Sequence, residues 1–223
     1  MTESEWLVSD DPDRMSEDLI LGSRRKLRLF AVACCRRLPA DVVDDDCRRC
    51  LDAAEASVDG RATAGDRRRA GDPMARLADR LEPAARAADA RNDKSDRDYR
   101  VHHAAIACHT TAAVDPYYMR KAADLVQLAV TDRDAERRHQ CALLRDIYGN
   151  PFRPPAFDPR WRTADALGLA RGIYDGPAFD RVPLLADALM DAGCADEQVL
   201  GHCRSDGPHV RGCWVVDLVL GQE

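Results

Sequence analysis

The stretch LLRDIYGNPFRPPAFDPRW, residues 143–161, limits what this chain can fold into more than any other. Leu143, Leu144 and Ile147 follow a helical spacing that stops at Gly149-Asn150. A glycine just past a last turn takes the left-handed conformation at little steric cost. Pro151, Pro154, Pro155 and Pro159 come next. They lack backbone donors and bias each preceding residue toward extended conformations, so the helix is not predicted to resume. Phe152, Phe157 and Trp161 lie among them, three of the seven Phe and Trp residues in the chain. A flexible linker rarely carries so many large apolar groups, so the segment is predicted to lie across helices as a strap with its rings buried.

On either side of this strap the pattern is helical. Aromatic residues are only 5% of the chain and charged residues 32%, a balance that favours helix over sheet, and 45% hydrophobic residues suffice for a core. After Ser23, a plausible N-cap, Leu27, Phe30, Ala31, Cys34, Cys35 and Leu38 form an unbroken apolar stripe, with Arg25, Arg28 and Arg36 on the other side. Asp44 to Asp46 suit the positive end of the next helix. Further helices are predicted over 98–114, 116–130 and 133–148, with Pro116 in a first turn after Asp115 and Asp132 as a cap. Shorter ones follow over 163–174, 181–192, 196–204 and 208–220, with close spacings that imply antiparallel hairpins.

Residues 60–100 differ in character, with Gly60, Gly65, Gly71, Pro73 and Arg67-Arg68-Arg69. They read as a solvated loop followed by an exposed helix over 74–91, and as the segment nearest to disorder. Eleven basic against eight acidic residues in 61–100, without stacking aromatics, do not make a nucleic-acid stripe. The N-terminal 22 residues place Trp6, Leu7, Leu19, Ile20 and Leu21 between acids, which predicts a short helix or a packed arm.

The whole is predicted to be all-α, an antiparallel helical bundle with HEAT-like short hairpins at the C-terminus; no fixed period makes it a solenoid. Its parts are residues 1–148 in long helices, the strap at 149–162, and short helices at 163–223, packed as one unit. A net charge of −6, from 33 basic and 39 acidic residues, points to neither nucleic acid nor an anionic membrane. With no signal-peptide-like start and no run of membrane-span length, a cytoplasmic location is expected.

Nine cysteines in such a compartment read first as small buried hydrophobes, then as metal ligands, and last as disulfides. Cys47-Arg-Arg-Cys50 is formally a CxxC, but no second pair follows at zinc spacing. The best metal candidates are His202, Cys203, His209 and Cys213, with Cys194 as a substitute. Imidazole and thiolate suit tetrahedral zinc, and His209 and Cys213 at i, i+4 would share a helix face. His202 and Cys203, being adjacent, would point apart on a helix. His102 and His109 share a face of their own helix, with Ile106 between them. Asp217, a lone acid in WVVDLVL, calls for a buried partner such as Arg211 or Arg204. Phosphate loops, nucleophile elbows, HExxH and dinucleotide fingerprints are missing.

The strings RKLRLFAVACCRR, LLRDIYGNPFRP, AFDRVPLLADALMDAGC and HCRSDGPHVRGCWVVDLVLG, with the opening MTESEWL, together resemble an uncharacterised family of planctomycete proteins, abundant in Gemmata-like genomes. The similarity runs end to end, with 60–100 as the family's variable, alanine-rich middle. It implies a cytoplasmic bacterial protein and brings no catalytic residues. The leading expectation is an interaction or scaffold module with another protein as partner. Two alternatives are a zinc-binding protein using the C-terminal His/Cys cluster, and an enzyme with a pocket between its halves and His102, His109 and Asp217 in reach.

Overall fold

The computed structural model describes residues 1–17 and 22–222. Leu19, Ile20 and Leu21 of the predicted N-terminal arm lie outside them. Among the described residues the chain is all-α, with twelve α-helices and no strand, and it forms a helical bundle. No described helix is long and apolar enough to cross a membrane.

The chain divides into two compact units, residues 10–140 and residues 1–9 with 141–223. The sequence-based division at the strap therefore moves: the boundary falls inside α8 (Arg133–Tyr148), and the first nine residues belong with the C-terminal part.

The N-terminal unit contains α2 (Pro12–Ser16), α3 (Arg24–Arg36), α4 (Asp45–Val58), α5 (Ala64–Ala90), α6 (Arg97–Thr111) and α7 (Pro116–Ala129). Ser23 caps its helix as predicted, and Asp44 and Asp115, expected only to precede or begin theirs, also act as N-caps, each accepting from a first-turn N–H. The predicted stripe of α3 is buried, but so are Leu29, Val32 and Arg28. Arg28 is thus not on a solvent face. Its Nη1 donates to the Thr111 carbonyl at 2.6 Å, and burial, assisted by the nearby Arg67 charge, pushes its pKa down to about 10.

The helix expected over 74–91 is present, but the loop expected before it is not: α5 is a continuous helix of 27 residues that begins at Ala64. Thr63 and Asp66 close a capping box at its start. Pro73 and Pro83 stand inside it, at a cost of about 3 kcal/mol each relative to a good helix former. Packing offsets that cost. Gly71, Met74, Ala78, Ala85 and Ala88 are buried, and α5 lies along α6. Gly71, which reads in sequence as a loop residue, lets the helices approach: a Cβ there would stand 3.2 Å from His109 Nδ1 and 3.3 Å from Ala112 Cβ.

The C-terminal unit comprises α1 (Glu3–Val8), the end of α8, α9 (Ala164–Asp175), α10 (Val182–Asp191), α11 (Glu197–Cys203) and α12 (Trp214–Leu220). Ile173, Leu185, Leu189, Val199, Val215 and Val219 anchor its core. Gly149 ends α8 at φ +67°, the left-handed conformation expected of it. Its carbonyl accepts from Trp6 Nε1 at 3.0 Å, so α1 is held where the strap begins. Phe157 and Trp161 pack on the core edge to face, 5.3 Å apart. Phe152 does not, being 46% exposed, and Pro159–Trp161 form a short 3-10 turn where no helical turn was expected. Arg162 finishes the strap by donating to the carbonyls of Leu218 and Val219, which closes the end of α12.

Candidate metal centre

Three parts of the C-terminal unit meet at one point. Asp146 comes from the last turn of α8, one position before the core residue Ile147 and three after Leu143, so helical geometry turns its carboxylate inward. His202 comes from the last turn of α11. His209 and Cys213 come from the turn between α11 and α12. That turn corrects the predicted helix over 208–220: the helix begins only at Trp214, and Cys213 is the residue before it. Gly212, at φ +99°, supplies a backbone conformation that brings the chain round.

The four side chains place one ligand atom each within 4.8 Å of all the others. Asp146 Oδ1 is 3.0 Å from His209 Nδ1 and 3.2 Å from His202 Nε2. Cys213 Sγ is 3.2 Å from His202 Nε2 and 3.9 Å from His209 Nδ1. Zinc bonds of about 2.0 to 2.3 Å in a tetrahedron set ligand atoms roughly 3.3 to 3.8 Å apart. These four separations, 3.0 to 3.9 Å, bracket that range, and all the ligand atoms lie within 4.8 Å of one another. The second oxygen of Asp146 accepts from the Val210 N–H at 3.0 Å, which fixes the carboxylate's orientation.

The burial is deep. Side-chain exposure is 2% for Asp146, 7% for His209 and 16% for His202, and Cys213 is fully enclosed. Burial alone would raise the Asp146 carboxyl. The hydrogen bonds and charges of His202 and His209 outweigh it and hold the carboxyl below the ordinary carboxylate range. Cys213 goes the other way: burial, reinforced by the Asp146 charge, pushes its thiol well above the ordinary value. A thiol so placed ionises only if a cation joins it. A divalent ion with one carboxylate, one thiolate and two neutral imidazoles would leave the pocket with no net charge.

The arrangement is not that of a Cys-His-Asp catalytic triad. In a triad the imidazole bridges base and nucleophile through its two opposite nitrogens. Here a single nitrogen, Nε2 of His202, faces both Asp146 and Cys213. His209 likewise turns Nδ1 to the cluster, while its Nε2 is buried without a hydrogen-bond partner. Ligand atoms that converge in this way could hold a cation. His202 also helps line a cleft of about 160 Å³ with Trp6, Asn150, Gln198 and Trp214.

Of the four ligands proposed from sequence, the structure brings together His202, His209 and Cys213. Cys203 is not with them. Adjacent to His202 on α11, it points into the core, fully buried, with its thiol pushed up to about 12 by that burial. Cys194 sits in the same core. Asp146 takes the fourth place, and sequence reasoning missed it although its signal was present: an acid at core spacing between Leu143 and Ile147.

The other histidine candidates are engaged elsewhere. His102 Nδ1 meets the Ala78 carbonyl at 2.9 Å and His109 Nδ1 the Gly71 carbonyl at 3.1 Å, so both rings clamp α6 to α5. Asp217 is 1% exposed on α12, and of its two suggested partners Arg204 pairs with Asp187 at 3.3 Å. Comparison with family models, curated proteins and solved structures finds no match, so the site's own chemistry carries the functional reading.

Proposed function

We propose that this chain is a metal-binding helical protein whose C-terminal unit holds one zinc ion through Asp146, His202, His209 and Cys213. The supporting observation is the convergence of their ligand atoms within 4.8 Å in a mostly buried setting. Nitrogen and sulfur donors select zinc over magnesium or calcium, which prefer oxygen. Four protein ligands complete the tetrahedron, so the ion is structural and the centre joins α8, α11 and α12. The scaffold reading draws only on the helical architecture, and the enzyme reading loses two of its residues to the α5–α6 clamp.

The test is zinc per chain after native purification without a histidine tag. About one equivalent is expected. Cys213→Ser, His209→Ala and Asp146→Asn lose it, whereas Cys203→Ser and Cys194→Ser retain it. Folded wild-type protein with no metal and no uptake of added zinc would overturn the proposal.

A further inference from the structure

The N-terminal unit holds a second group of sulfurs, unrelated to the metal centre. Cys47 on α4 and Cys108 on α6 are joined as a disulfide across 61 positions of sequence. Cys50, one turn along α4 from Cys47, reaches the same place: its Sγ lies 3.2 Å from the Cys108 carbonyl. All three side chains are buried. The formal CxxC of the sequence is thus divided by the fold, one cysteine bonded to α6 and the other beside it.

We infer that Cys47 and Cys108 are a reversible redox pair that staples α4 to α6 when oxidised and leaves them held by packing alone when reduced, with Cys50 held out of the exchange. Three observations support this. Their Cα atoms are 6.0 Å apart, a separation that a disulfide spans without backbone movement. The helices do not depend on the bond to stay together, because α4 and α6 both pack on α5. The reduced pair would remain as two small buried hydrophobes, as Cys34 and Cys35 already are on α3. Both states therefore fit one fold, and the bond changes its stability.

Cys50 is excluded by its hydrogen bond. Its S–H donates to the Cys108 carbonyl, which also accepts from Thr111 Oγ1 at 2.7 Å. A thiolate there would face a carbonyl oxygen instead of donating to it. Burial, only partly offset by Thr111, pushes the Cys50 thiol up to about 11, which keeps it in the donating form.

In the oxidising direction the Cys47 and Cys108 thiols lose two electrons and two protons to a small-molecule disulfide such as oxidised glutathione, which becomes two glutathione thiols. In the reducing direction a phosphine takes up oxygen from water as the disulfide becomes two thiols. The experiment refolds the full chain from urea with zinc present, in oxidised glutathione or in tris(2-carboxyethyl)phosphine. Each sample is then alkylated, digested and mapped without reduction, and its melting temperature measured.

In the oxidised sample we expect a linked Cys47–Cys108 peptide and an alkylated Cys50. We also expect melting about 5 to 15 °C above the reduced sample, the scale for a loop of this length. The difference persists in Cys50→Ala and vanishes in Cys47→Ala. No linked peptide, a link through Cys50, or equal melting of the two wild-type samples would each overturn the inference. The wild-type comparison decides the matter even if a variant fails to fold.

Discussion

Two pairs of histidines in this protein are each separated by seven residues, His102 with His109 and His202 with His209, and they do opposite things. The first pair lies on one face of one straight helix. Their rings meet carbonyls of α5 that are themselves seven residues apart, Ala78 and Gly71, so each forms a separate hydrogen bond. The second pair is split by the end of α11 and a turn. Their ring centroids come within 4.9 Å, and both aim at Asp146. A straight helix keeps such residues about 10 Å apart, whereas a turn can fold them together. Equal spacing says nothing about a shared ligand until the backbone between the residues is known.

The largest expected effect falls on the second pair alone. Stripping the metal with a chelator should destabilise the C-terminal unit by several kcal/mol, read by calorimetry before and after zinc is restored. His102→Ala and His109→Ala should retain the full zinc content, and a loss of zinc in either would break the contrast between the pairs.

The pH response of metal-free protein sharpens the comparison. The Asp146 carboxyl is held below its ordinary range in the folded state, so its contribution is present above about pH 4 and lost as pH falls through the lower folded value. Thermal melts between pH 5 and pH 2 should therefore fall more steeply for wild type than for Asp146→Asn. Parallel curves would mean that the His202 and His209 contacts with Asp146 do not stabilise the fold.

Gly149→Ala tests the backbone that leads away from Asp146. A Cβ at φ +67° is strained and would lie 3.2 Å from the Trp214 ring, so a loss of about 2 kcal/mol is expected in chemical denaturation. The smallest effect belongs to the first pair. His102→Leu removes one hydrogen bond to α5 at a cost of about 1 kcal/mol. Hydrogen exchange should show it as faster opening near Ala78.

Much of the fold was legible because its signals are local. Caps at Ser23 and Asp132 and the stop at Gly149 each act over a few residues and appear where the sequence puts them. The errors lie where a distant partner decides. Pro73, Gly71 and an arginine run argue for a loop before residue 74, yet burial against α6 makes one helix of 64–90. Arg28 looks solvated from its spacing until the Thr111 carbonyl gives its guanidinium a buried acceptor. The strap was placed correctly for Phe157 and Trp161 and not for Phe152, since nothing local distinguishes three aromatic residues among prolines.

The candidate site divides in the same way. Residue type and turn chemistry alone select His202, Cys203, His209 and Cys213, because imidazole and thiolate near a Ser-Asp-Gly-Pro turn are unusual. Tertiary structure alone decides the fourth member. Cys203 is a better zinc ligand by chemistry than a carboxylate, but helical geometry turns it about 100° from His202 and into the core. Asp146 stands 56 residues earlier in sequence and has no local sign of a partner. The sequence by itself therefore determined an all-helical chain, its caps and most of the donor atoms. Which of those donors converge was decided only when α8, α11 and the turn before α12 packed together, since convergence depends on directions set by elements far apart in the chain.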